Sequence, residues 1–162
     1  SFARRAFGSA LAALVVLGAG WFTVQNAVPG AATEARAGDI EAWSPERVAT
    51  LQAQGKPVFV NFTAAWCITC IANERVALSR QEVKDAFAKL GVVYLKADWT
   101  NRDSRIAKAL AEQGRAGVPL YLFYPARKEA QAEILPQLLT VDGLIAAAER
   151  AAGRNAKTAA LP

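Results

Sequence analysis

Both cysteines of the 162-residue chain fall in one tetrapeptide, Cys67-Ile68-Thr69-Cys70, which follows Trp66 and the apolar run Val58-Phe59-Val60-Asn61-Phe62. Two thiols three apart in the first turn of a helix can close into a disulfide and reopen with little backbone movement. The unpaired N–H groups and positive dipole end of that turn favour a thiolate, so Cys67 is the expected attacking sulfur, with a depressed pKa. Cys70, one turn further in, is the expected resolving thiol, which attacks a mixed disulfide on Cys67 and releases the partner. A purely structural disulfide would close so short a loop that it constrains the unfolded chain little. Structural zinc wants four Cys or His ligands, and the chain has two Cys and no His. Haem attachment would need His after the second cysteine, where Ile71 stands. The expected redox group is therefore the Cys67–Cys70 pair itself, with no metal and no further cofactor.

The rest of the chain must place that pair. A strand feeding into a helix is implied by Pro57 to Thr63, apolar and β-branched-rich as in strands buried on both faces, followed by a helix over 68–78. Ahead of it, Ser44-Pro45-Glu46 reads as an N-cap, a proline at the first helical position and an acid in the first turn, with Gly55 as the stop. Ser79-Arg80-Gln81-Glu82 reads as a capping box starting a helix that carries Val83, Phe87 and Leu90 and ends at Gly91. Val92 to Ala97 is the second expected strand, Asn101 to Gln113 a helix, Leu120 to Tyr124 the third strand and Ala132 to Leu135 a short fourth. Thr140 caps a last helix. The expected fold is α/β, a mixed sheet of about four strands flanked by helices on both faces, over residues 43–151.

Ala6 to Thr33 contains no charged residue, and Phe7 to Val24 is mostly apolar. That length reaches the ~20 residues a bilayer-spanning helix needs. Arg4 and Arg5 precede it, so the positive-inside rule orients the start toward the cytoplasm and the remainder outside. The expected organisation is a transmembrane helix or signal anchor over 1–25, an Ala/Gly/Pro-rich linker over 26–42, the α/β domain, and a flexible tail over 152–162. Small residues four apart (Ala6/Ala10, Gly8/Ala12, Ser9/Ala13) would suit packing on other membrane helices. The competing expectation is a cleaved signal peptide, on Arg4-Arg5, the apolar run and Ala35-Arg36-Ala37. The chain contains no Met, and a piece of a longer protein, or a processed one, is expected. Either reading puts the cysteines in an oxidising compartment. The net charge of +5, from 19 basic and 14 acidic residues, is spread along the sequence without a Lys/Arg stripe, which argues against a nucleic-acid partner.

This element order, with Trp66-Cys67-Ile68-Thr69-Cys70 and then Gly117-Val118-Pro119 entering a strand, resembles the thioredoxin fold. Three stretches resemble more narrowly the C-terminal domain of transmembrane thiol:disulfide interchange proteins, the DsbD family and its suppressor-of-copper-sensitivity relatives. They are Phe62 to Cys70 with Asn73-Glu74, Ala97-Asp98-Trp99-Thr100-Asn101-Arg102-Asp103, and Gly114 to Pro125 with Ile134 to Thr140. The resemblance implies a cis Pro119 beside the disulfide, leaving the Val118 backbone open to a partner's extended chain, and Trp66 as part of the docking surface. It implies a domain on the periplasmic side of a bacterial inner membrane. There it would take electrons from a membrane donor domain, expected in the same longer polypeptide, and pass them to periplasmic thiol proteins. Two positions depart from the family pattern: Asn61 stands where a buried Asp is common, and Ala65 where an acid is usual. Fewer negative charges should leave Cys67 more acidic. Glu74 matches an acidic position that tunes the site, and Glu74 or water would have to accept the proton the missing Asp would take. The competing functions are an oxidase or isomerase of secreted proteins on the same fold, and a peptide-binding module with an inert Cys67–Cys70 pair.

Overall fold

The computed structural model describes residues 39–127 and 130–154. The expected membrane helix, residues 26–38 of the linker, and residues 155–162 of the tail lie outside the described residues. Among the described residues, no helix is long and apolar enough to cross a membrane.

The elements in chain order are β1 (Ile40–Ala42), α1 (Pro45–Ala53), β2 (Val58–Thr63), α2 (Ile68–Asn73), a π-helical turn (Glu74–Leu78), α3 (Gln81–Leu90), β3 (Val93–Asp98), α4 (Ser104–Glu112), β4 (Leu120–Tyr124), β5 (Glu133–Ile134) and α5 (Val141–Ala151). The sheet order is β1-β3-β2-β4-β5. β1 and β2 flank β3 in parallel, whereas β4 runs antiparallel to both β2 and β5. β2 thus holds the centre of the sheet, which is why Val58 to Phe62 are all buried. Its C-terminal end delivers the chain straight into the Cys67–Cys70 turn.

Two apolar layers hold the helices on. On one face Phe59, Tyr94, Tyr121 and Phe123 pack against Leu78, Val83, Phe87 and Leu144. Phe59 is the hub, with the rings of Phe87, Tyr94 and Phe123 all within 5.5 Å of its centroid. Burying such a side chain contributes ~1.5–3 kcal/mol. On the opposite face Val58, Val60, Phe62 and Leu95 pack against Val48 and Leu51 of α1 and Ile106 and Leu110 of α4.

The helix starts read from sequence hold at two sites: Ser44 Oγ accepts from Arg47 N, and Thr140 Oγ1 from Gly143 N. Gly91, at φ +68°, closes α3 in the left-handed conformation. Four local expectations need correction. The helix expected from Asn101 begins only at Ser104, after the Asp103 cap. The sheet has five strands rather than about four, because Ile40–Ala42, assigned to the linker, pairs with Tyr94–Lys96. The helix expected over 68–78 changes after Asn73 into the π-helical turn, in which Ser79 N donates to Glu74 O. That bond holds Ser79 in helical geometry and its Oγ turns back to Arg75 O, so Ser79 does not cap α3, and Arg80 takes the N-cap place without a side-chain bond.

Candidate functional site

Cys67 is the N-cap residue of α2, and its sulfur accepts a 3.2 Å hydrogen bond from Cys70 N. The two sulfurs are bonded at 2.05 Å. Both are buried, Cys67 at 7% exposure and Cys70 at 4%, in a small cluster with Ala64 against which Val118 packs. The Val118–Pro119 bond is cis, and Pro119 is buried. The cysteines read from the sequence and the Val118 and Pro119 expected by resemblance are thus together at one end of the sheet.

Trp66 stands beside this cluster half-exposed at 49%, with Ile68 and Ile71 also presented to solvent. The loop between β3 and α4 holds Trp66 in place, and that role could not be read from the sequence. Trp66 Nε1 donates to Thr100 O at 3.2 Å, Ala65 N donates to Thr100 Oγ1 at 2.8 Å, and Trp99 N donates to Thr63 O at 2.7 Å. Asp98 anchors Thr100 in turn, accepting from its hydroxyl and its main-chain N–H. Those two bonds from Thr100, hydroxyl first, hold the Asp98 carboxyl below the usual carboxylate range. Trp99 lies 6.0 Å from Trp66, and a Cβ built on Gly117 would sit 3.6 Å from its ring. The loop thus touches both the turn that carries the cysteines and the approach to Val118–Pro119.

Glu74 and Asn61 occupy different settings. Glu74 is exposed and lines a cleft of about 300 Å³ together with Cys70, Thr63, Arg75, Lys96 and Asp98. Asn61 is 2% exposed on β2 and donates through Nδ2 to the Tyr94 hydroxyl at 2.7 Å. Its Oδ1 has no partner among the described residues. Turning the amide over would only exchange which of its two polar atoms is left unpaired. Burial raises the Tyr94 pKa, and the Glu74 charge adds to the rise. Glu74 also lines a second cleft, together with Tyr94.

Asn73 went without a role in the sequence reading. Buried at 2%, it donates to the Tyr121 hydroxyl at 2.9 Å and to Gln137 O at 2.7 Å, and accepts from Leu139 N at 3.1 Å. It ties the end of α2 to β4 and to the segment before α5. Among the described residues, no group of three or more His, Cys, Asp or Glu side chains could hold a metal ion.

A disulfide between cysteines three apart at a helix start, beside a cis-proline loop and an exposed tryptophan on a mixed five-stranded sheet, defines a thiol–disulfide oxidoreductase domain. The chain belongs to the thioredoxin-like family, whose profile matches residues 39–126. Its curated relatives include the thiol:disulfide interchange protein DsbD of Yersinia enterocolitica, 35% identical over 80 residues, and DsbD of Escherichia coli K12, 33% identical over 76. Those stretches cover 49% and 47% of this chain but only 14% and 13% of the relatives' length. Among solved structures, the oxidised C-terminal domain of Neisseria meningitidis DsbD aligns with a TM-score of 0.53 at 23% identity, covering 66% of this chain and 94% of that one. A structure described as DsbH oxidoreductase gives 0.54 at 19%, covering 80% and 97%. These likenesses agree with the fold, and the DsbD matches make this a DsbD-like thioredoxin domain.

Proposed function

We propose that the domain is a periplasmic disulfide reductase that relays electrons from a membrane donor domain to periplasmic thiol proteins. The observation that carries this reading is the Cys67–Cys70 pair at the start of α2, beside exposed Trp66 and the Val118–Pro119 loop, in a chain similar to DsbD. In the forward direction the reduced Cys67 thiolate bonds to one sulfur of the partner's disulfide, and the other partner sulfur leaves as a thiolate. Cys70 then gives up its proton and bonds to Cys67, freeing the first partner sulfur. The dithiol loses two electrons and two protons, and the partner gains both. Reversing these steps against a reduced donor restores the dithiol. Two carboxylates, Glu74 and Asp98, line the cleft with Cys70; Asp98 is engaged by Thr100, so Glu74 is the one we assign to take the Cys70 proton. An exposed apolar rim of Trp66, Ile68 and Ile71 suits docking of an extended chain. The membrane anchor and the donor domain belong to this reading as well, by likeness to the DsbD relatives.

The neutral Asn61 favours one other reading, an oxidase or isomerase, because a site poor in negative charge stabilises the thiolate form. A Cys70→Ala variant in its native membrane separates the two. Cys67 then accumulates as a mixed disulfide, and a partner that itself carries a paired-cysteine domain supports the relay. A broad set of secreted proteins would favour the oxidase or isomerase, and no adduct at all would leave only a binding module.

A further inference from the structure

The loop that holds Trp66 ends on an arginine in an unusual position. Arg102 has φ +56°, alone among the described non-glycine residues in taking a positive value, and its N–H closes a turn on Trp99 O at 3.0 Å. Arginine gains nothing from left-handed backbone, and glycine or asparagine would sit there at less cost. The conformation carries the guanidinium over two rings at once, 5.5 Å from the centroid of Trp66 and 5.5 Å from that of Trp99. A guanidinium held against aromatic rings keeps its N–H donors, which bind a carboxylate with paired hydrogen bonds. The nearby carboxylates are engaged elsewhere. Asp98 accepts from Thr100, and Asp103 caps α4 through Arg105 N and Ile106 N and pairs with Arg105. Among the described residues no carboxylate pairs with Arg102, which is exposed.

We infer that Arg102 is a specificity residue of the docking surface, selecting partner chains that carry an acidic side chain close to the reacting cysteine. Trp66 precedes Cys67 directly, so a chain lying across Trp66 to reach the sulfur passes the guanidinium. The inference rests on the thiol-exchange reading, and its test keeps the two apart.

The probes are three peptides identical except for a Glu, Gln or Lys flanking a single cysteine, each held as a mixed disulfide with 2-thiopyridine. Reduced full chain attacks the peptide sulfur and 2-thiopyridone leaves. Cys70 then releases the peptide thiol, so that the dithiol is oxidised as the probe is reduced. One unit charge about 6 Å from Arg102 in water corresponds to roughly a threefold rate factor, so the Glu probe should react about tenfold faster than the Lys probe at low salt. That preference should collapse near 0.5 M salt. Arg102→Gln should bring the Glu-to-Lys ratio close to one, and Arg102→Glu should invert it. Arg102→Gly, which suits the left-handed backbone, should lose the preference with no loss of stability. A native chain with no charge preference, or an Arg102→Gln variant that retains it, overturns the inference and leaves thiol exchange standing. Failure of the native chain to reduce even the Gln probe brings down the thiol-exchange reading and this inference together.

Discussion

Replacing Asn61 by Asp puts a carboxylate where the side chain is 2% exposed and one polar atom already lacks a partner. The change is nearly isosteric, so packing against Phe59 and its neighbours is kept, and the Tyr94 hydroxyl can turn to donate where it now accepts from Nδ2. One hydrogen bond cannot replace the hydration of a buried charge. Desolvation of this depth raises a carboxyl pKa by about 3 units, to roughly 7 from an unfolded value near 3.9. A folded pKa that is raised leaves native stability intact below about pH 4. Above that the unfolded chain sheds its proton first, and stability falls by about 1.4 kcal/mol per pH unit until the folded group ionises near pH 7. The full loss is about 4 kcal/mol. Urea unfolding of the oxidised protein and the Asn61→Asp variant, at half-unit steps from pH 4 to 8, reads this directly. The two stability curves should meet near pH 4 and separate steadily to pH 7. Parallel curves would refute the reasoning, because they would mean that the Asn61 pocket hydrates a charge and is not the dry, unpaired site described.

Tyr94 should produce a separate alkaline effect. Burial, then the Glu74 charge, raises its pKa, so its contribution is full below the unfolded value near 10 and is lost as pH rises above it; Tyr94→Phe should flatten the stability curve between about pH 10 and 11. Asn73→Ala removes three hydrogen bonds to buried or half-buried partners and should cost about 3 kcal/mol in urea unfolding, far more than an exposed α2 substitution such as Ala72→Ser. Glu74→Gln should slow release of a Cys67 mixed disulfide by about tenfold near pH 7, as seen by stopped-flow single turnover. That deficit should shrink as pH approaches the ordinary thiol value near 8.5, where Cys70 no longer needs an acceptor.

Cys67 and Cys70 were legible because their chemistry depends on local sequence, a spacing of three with a strand before it, whereas Val118 and Pro119 were expected beside them by resemblance to the thioredoxin fold. The helix caps at Ser44 and Thr140 were also legible from local sequence. β1 was not, since three residues with largely exposed side chains carry no apolar pattern, and only pairing with β3 makes them a strand. Ser79 misled because a capping motif assumes a free helix start, whereas the π-helical turn had already fixed its backbone. The helix expected from Asn101 begins at Ser104, because Asp103 supplies the cap and Arg102 has left-handed geometry. The roles of Thr100, Arg102 and Asn73 depend on contacts across 34 residues or more, or on two rings meeting in space, and no periodicity encodes them. The stretch Asp98 to Asp103 stood out by resemblance alone; its physical use is to brace Trp66.

The central claim is that the Cys67–Cys70 pair gives electrons away. Ile68 and Thr69 offer no histidine to stabilise the Cys67 thiolate strongly, so the disulfide should be a weak oxidant. Equilibration of the full chain with glutathione redox buffers, with the fraction of dithiol read by thiol alkylation, measures this directly. The account predicts a potential at or below about −200 mV, in the range of reducing thioredoxin-fold proteins, and a value near about −120 mV, typical of strong disulfide donors, would contradict it.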